Sequence, residues 1–382
     1  MNDRTPHSEE APAATYTEAI RTAAHTEERS AAPLRADDRI APRLIEWYRL
    51  HGRTLPWRET RDPYRIWLSE VILQQTRVQQ GLAYYERFTE RFPTVAALAA
   101  ATEDEVLKLW QGLGYYSRAR NLHAAARQVV ERFGGRFPER YEEVRSLKGV
   151  GDYTAAAVCS MAFDRPHAVV DGNVYRVLAR LFDLETPIDT TVGRRTFAEL
   201  AQSLLDPIRA AAYNQAIMDF GATCCTPQQP RCTECPFADC CLALAAGSVA
   251  RRPVKAGKTR TRDRYFHYLH LTDGRRTLLH RRGPHDIWQG LYEFPLVETA
   301  EACDFDRLAA EEAFGRLLDG QPFRLTDTVR MPRHQLSHQA IHALFHRLEV
   351  EELPAAEGCI AVDAEALGDY AVSRLTDRYL NR

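Results

Sequence analysis

Six of the nine cysteines in this 382-residue chain lie between positions 224 and 241, and this crowding constrains the fold more than any other feature. In a long chain that opens MNDRTPHSEE, without the basic start and apolar run of a secretory leader, a tight cysteine cluster favours metal or iron-sulfur ligation over structural disulfides. A reducing cytoplasmic location is expected, nucleoid-associated if the source is bacterial. Cys225, Cys232, Cys235 and Cys241 stand at C-x6-C-x2-C-x5-C, with Cys224 and Cys240 as adjacent alternatives. Four thiolates so spaced can wrap one small inorganic cluster, and zinc would accept the same ligands. Cys159, Cys303 and Cys359 stand alone and read as small buried hydrophobes.

On either side of the cluster the hydrophobic period differs. Residues 1–36 are rich in Ala, Glu, Thr, Ser and Pro and are expected to form a disordered tail. From 37 to 222, sets such as Ile40, Leu44, Trp47 and Tyr48, or Val174, Leu178 and Leu181, repeat at helical spacing, so this is read as an all-α region of about ten helices. The cysteine loop occupies 223–245. From 265 to 382 the signal is alternation: Tyr265–Leu271, an Asp273-Gly274 turn and Thr277–Leu279 spell a hairpin. A helix is expected over 304–318, with strands over 339–350 and 358–363. The C-terminal third is therefore a separate α/β domain. No run of about 18 apolar residues exists, which excludes a membrane-spanning helix.

The net charge of −2 hides its distribution. Residues 251–264, RRPVKAGKTRTRDR, carry seven basic side chains and one acidic, whereas residues 265–382 carry 13 and 19. Such a run is either a solvated linker or a linker, over 246–264, that also touches phosphate.

Two further segments carry chemistry. Leu147-Lys148-Gly149-Val150-Gly151-Asp152-Tyr153-Thr154-Ala155 is a Gly-x-Gly turn opening an Ala-rich helix, where Gly149 and Gly151 would let amides face a DNA phosphate; a plain helix-helix turn is the alternative. Asp171 follows in Val170-Asp171-Gly172-Asn173-Val174. In Trp67–Thr76, Glu70 shares a helical face with Ile66, Trp67 and Leu73, and such apolar company should raise its pKa and suit it to general acid work. A solvent-facing glutamate is the bland alternative.

With Leu55-Pro56-Trp57-Arg58, the run Gly112–His123 and the four cysteines, these segments resemble MutY-type adenine DNA glycosylases over residues 38–380. The resemblance implies a helix-hairpin-helix DNA glycosylase region with a [4Fe-4S] loop held by Cys225, Cys232, Cys235 and Cys241, followed by a MutT-like, or Nudix-like, domain that reads the opposite base. It implies removal of adenine opposite 8-oxoguanine or guanine in double-stranded DNA, by a monomer. Glu70 would protonate the base and Asp171 would oppose the cationic sugar, supported by Tyr153 and Asn173. Arg58, Leu73 and Gln215 would line the adenine pocket, while Gln75 and Tyr115 would fill or prop the opened duplex. Ordinary core packing is the alternative for Leu73 and Tyr115.

The nearest rival on the same fold, an endonuclease III-like glycosylase/lyase, needs a Schiff-base lysine where this chain has Tyr153. The rival from another class is a non-catalytic iron-sulfur DNA-binding module, against which the pairing of Glu70 with Asp171 argues. The C-terminal domain departs from the Nudix hydrolase pattern, with Leu308 and Thr299 where acids are expected. Recognition is the expected role there, through Arg333-His334-Gln335-Leu336-Ser337-His338, which resembles the family's Phe-Ser-His loop with Leu336 in place of the aromatic. Ser337 and His338 offer groups that hydrogen-bond base edges.

Overall fold

The computed structural model describes residues 39–257 and 261–382, so the tail expected over 1–36 lies outside the described residues. Among those residues, the first half folds into eleven α-helices between Ile40 and Thr223. Asp62 caps the helix Pro63–Leu73 by accepting from the Tyr64 amide, and Pro63 takes the first position, where no amide hydrogen is needed. Ile66 to Ile72 are buried without a break, which makes this a central helix rather than an amphipathic surface one. It packs against the helix Asp152–Phe163, whose alanines and other small side chains are buried almost all round. The turn before that helix needs glycine at 149, where φ is 75° and a Cβ would stand 2.6 Å from Asn121. Asp171 caps the helix Gly172–Leu181.

The second half is an eight-stranded mixed sheet. Its strands are β1 (Arg262–Thr272), β2 (Arg276–Arg281), β3 (Tyr292–Glu293), β4 (Leu296–Thr299), β5 (Phe323–Arg330), β6 (His334–Gln335), β7 (Gln339–Val350) and β8 (Cys359–Asp363). The main order is β3-β2-β1-β7-β5, with β4 on β1, β6 on β7 and β8 on β2. β1 and β7 run parallel from Arg262↔Gln339 to Thr272↔Glu349, and the other pairs are antiparallel. One apolar cluster gathers Phe266, Tyr268, Phe294 and Phe345, and the other gathers Leu269, Leu271, Leu308, Phe314 and Leu348. This is the alternation expected of a sheet covered on both faces.

Three details differ from the sequence reading. The helix expected over 304–318 is two, Phe305–Ala309 and Glu312–Leu318, broken where Glu311 takes an extended conformation. β5 gave no signal because it is an edge strand with only Val329 buried, so it shows no two-residue period. The basic linker expected over 246–264 is partly structure: β1 begins at Arg262, Arg264 is clasped by Asp286 and Glu298, and Arg252 pairs with Asp183 and Glu185. Charge counting along the chain cannot see these distant partners.

The halves share a core and a polar seam. Leu291 and Ala371 belong to the helical cluster, and Trp288 packs against both that cluster and one face of the sheet. Arg281 reaches Glu103 and Asp104, Gln111 donates to Asp377 at 2.9 Å, and Arg120 donates to the Gln289 carbonyl at 2.6 Å.

Candidate active site

One cavity in the helical half is lined by Arg58, Glu70, Leu73, Gln75, Tyr153, Asp171, Asn173 and Gln215, eight of the residues singled out in the sequence. Glu70 projects from the middle of the buried helix, only 7% exposed, and accepts a 2.6 Å hydrogen bond from the Tyr153 hydroxyl. Burial disfavours its charge and the Asp171 carboxylate adds to the effect, against the Tyr153 hydrogen bond and Arg58, so its pKa stands at about 7. Burial also raises Asp171, but three hydrogen bonds oppose it: Oδ1 accepts from the Asn173 and Val174 amides at 2.9 and 2.8 Å, and Oδ2 from Asn173 Nδ2 at 2.8 Å. Two carboxyl groups thus share one cavity, and burial lets Glu70 hold a proton up to about neutrality while the hydrogen bonds to Asp171 favour its charged form.

Residues the sequence reading missed hold the side chains around this pair in place. Asp219 is fully buried and receives Arg58 through both terminal nitrogens, at 2.6 and 2.7 Å, together with Arg53. Burial would raise the Asp219 carboxyl, but these hydrogen bonds prevail and hold it below its usual range. Tyr48 donates to Gln215 Oε1 at 2.8 Å, with Arg58 over its ring. Arg176 donates to Asn173 Oδ1 at 2.7 Å and to the Cys225 carbonyl at 2.8 Å, so one guanidinium joins the support of Asp171 to the cysteine loop. Asp219 carried a usable signal, since it sits between Met218 and Phe220 in an otherwise apolar turn, as Glu70 does in its own helix.

Tyr115, Ser337 and His338 are not at this cavity. They line a second one between the halves, with Trp288, His334 and Arg374. The Tyr115 hydroxyl and Ser337 Oγ lie 3.0 Å apart, and Tyr115 is 51% exposed. Gly149 and Gly151 are exposed at the start of the helix Asp152–Phe163 and line neither cavity.

Cys225, Cys232, Cys235 and Cys241 line a third, small cavity, together with Cys224. The Cys240 thiol turns away to the Phe237 carbonyl at 3.6 Å, and Arg180 Nη1 lies 3.4 Å from Cys225 Sγ. A ring of thiols beside a guanidinium suits an anionic thiolate-ligated centre. Among the described residues, no three acidic, cysteine or histidine side chains stand together in a geometry that would hold one metal ion.

Residues 68–202 match the family described as HhH-GPD superfamily base excision DNA repair protein, and residues 267–382 match the NUDIX domain. The adenine DNA glycosylase of Rattus norvegicus is 46% identical over 209 residues, covering 52% of this chain and 40% of that protein. The adenine DNA glycosylase of Buchnera aphidicola subsp. Baizongia pistaciae (strain Bp) is 34% identical over 255 residues, covering 66% of this chain and 72% of that protein. A solved thermostable thymine-DNA glycosylase matches with a TM-score of 0.51 at 30% identity, covering 54% of this chain and 95% of that one. The matched region spans less than half the length of the mammalian relatives. With both domain matches in order, and a bacterial relative covered over 72% of its length, this chain belongs to the adenine DNA glycosylase family.

Proposed function

We propose that the protein is a monofunctional DNA glycosylase that removes adenine paired with 8-oxoguanine or guanine in duplex DNA, acting as a monomer. The observation that carries the reading is the buried Glu70, held by the Tyr153 hydroxyl and pushed up to a pKa of about 7 by burial, in one cavity with Asp171. Adenine leaves poorly until a ring nitrogen gains a proton, and the sugar it leaves acquires oxocarbenium character. The reaction therefore needs one acid and one carboxylate, as glycoside hydrolysis does. Glu70 gives its proton to the base as the N-glycosidic bond breaks. Asp171, fixed by the Asn173 and Val174 amides, faces the cationic sugar until water attacks. Arg58 and Gln215, oriented by Asp219 and Tyr48, offer a donor and an amide to the flipped base, and Leu73 gives it an apolar wall. No lysine lines the cavity, and Tyr153 serves Glu70, which counts against a Schiff-base lyase.

The thiol-lined cavity supports a [4Fe-4S] cluster held by Cys225, Cys232, Cys235 and Cys241, which would supply a cross-link of the loop that Arg176 ties to Asn173. The cavity shared by Tyr115, Ser337 and His338 supports reading of the opposite base by the sheet half. Single-turnover base release tests the activity and the reading of the opposite base. Adenine should leave duplexes opposite 8-oxoguanine and guanine but not opposite thymine. Ser337→Ala with His338→Ala should cut the preference for 8-oxoguanine by roughly 1–3 kcal/mol. No release from any mispair would sink the reading, and an unchanged preference would place recognition in the helical half.

A further inference from the structure

The helix Ser117–Phe133 begins with a buried arginine that lies outside the Glu70 cavity. Arg118 is 9% exposed, yet its hydrogen-bond acceptors are neutral. Nη1 donates to the carbonyls of Val71, Ile72 and Gln74 at 2.9, 2.9 and 2.6 Å, and Nη2 to the Gly114 carbonyl at 3.1 Å. Thr76 Oγ1 lies 3.5 Å from both nitrogens. The guanidinium also lies 5.0 Å from the Trp110 ring centroid and 5.7 Å from that of Tyr115. A cation buried against dipoles and rings is costly unless the arrangement does something for the fold or the site.

Two of those acceptors are informative. Gln75 and Tyr115 both hold left-handed backbone, at φ 56° and 48°, which L-residues other than Asn and Asp seldom adopt. The carbonyls held by Arg118 are those of Gln74 and Gly114, each in the peptide plane just before one of these residues. Fixing that plane resists the rotation about N–Cα by which the strained residue would relax. Because one guanidinium grips both planes, it also sets the spacing between the two tips.

We infer that Arg118 is a positioning residue that locks Gln75 and Tyr115, from two separate loops, into one two-pronged wedge for opening the duplex. The inference rests on the glycosylase reading above. Lysine can keep the charge but cannot present a planar fork to two loops at once.

The test compares wild type, Arg118→Lys and Arg118→Met on adenine opposite 8-oxoguanine, where a base pair must be broken, and opposite a tetrahydrofuran abasic analogue, where none must. Single-turnover release, 2-aminopurine fluorescence for base extrusion, melting temperature and the pH–rate profile are read for each. On the paired substrate Arg118→Met should lose about 10²-fold in release, as for a misplacement of about 1 Å, with extrusion slowed in parallel. Its loss on the abasic-opposed duplex should be several-fold smaller. Arg118→Lys should fall between wild type and Arg118→Met, and the midpoints of the pH–rate profile should stay in place. Equal losses on both duplexes, normal extrusion, or a shifted pH profile would overturn the inference, because the residue would then act on the fold or on Glu70. Should Arg118→Met fail to fold, Arg118→Lys with Gln75→Gly decides: non-additive losses support a shared wedge and additive losses reject it. A wild type inactive on both duplexes would instead fail the glycosylase reading.

Discussion

Replacing Glu70 with glutamine should remove base release and at the same time stabilise the protein, by an amount that depends on pH. The carboxyl is displaced from 4.5 to about 7, chiefly by burial, so the folded state holds its proton more tightly than the unfolded chain does. The stability linked to that proton is fully present below about pH 4.5 and is lost as pH rises through about 7. At roughly 1.4 kcal/mol per pH unit, the ionised carboxylate costs the folded state about 3 kcal/mol in mildly alkaline buffer. Glutamine carries no charge at any pH, and its carbonyl can still accept from Tyr153. The melting temperature of Glu70→Gln minus that of wild type should therefore widen by several degrees between about pH 5 and 8.5, at roughly 2–4 °C per kcal/mol. Calorimetry at matched ionic strength measures it, with base release recorded on the same samples. Melting differences that stay parallel across that range would refute the argument, since Glu70 would then titrate as an ordinary carboxylate. Release within about tenfold of wild type would remove it as the acid.

Other outcomes follow from the same geometry. Tyr153→Phe deletes a hydrogen bond that favours ionised Glu70, so the alkaline limb of the pH–rate profile should move upward; a limb that moves down would reverse the assigned donor. Asp219→Asn leaves the largely buried Arg58 without its anion and should cost about 3–5 kcal/mol of stability by equilibrium unfolding, with base release impaired. A loss below about 1 kcal/mol would show that Arg58 finds another partner. Purified protein should hold about four iron atoms per chain, reduced in Cys225→Ser and Cys241→Ser but not in Cys240→Ser. Stoichiometric zinc without visible absorbance would reverse the assignment.

What could be read from the sequence was what lies close together along it. Helical spacing located the first half, the Asp273-Gly274 turn located the hairpin, and Glu70 stood out because its apolar neighbours lie one turn away. The partners that set the proton affinities and rotamers come from far along the chain: Tyr153 for Glu70, which the family resemblance supplied, and Asp219 for Arg58 and Arg118 for the loops of Gln75 and Tyr115, which it did not. Pattern within one segment carries no information on such pairings. The same limit explains the linker, where Arg252 and Arg264 look like free charge until Asp183, Asp286 and Glu298 are brought beside them. The edge strand β5 was invisible for the opposite reason, because it has too little burial to impose a pattern.

Leu291 and Ala371 complete the packing of the helical half although they are encoded in the sheet half. Gly290 beside them sits so close to Leu107 and Glu103 that a Cβ there would press on both at 3.2 Å. A lesion in this short stretch is therefore felt by the catalytic half as a loss of its own core. Variants at Gly290, Leu291 or Ala371, none of which lines either cavity, will mimic defects in catalysis while leaving the base-contacting groups untouched, and they need sorting by folding before they are scored by repair.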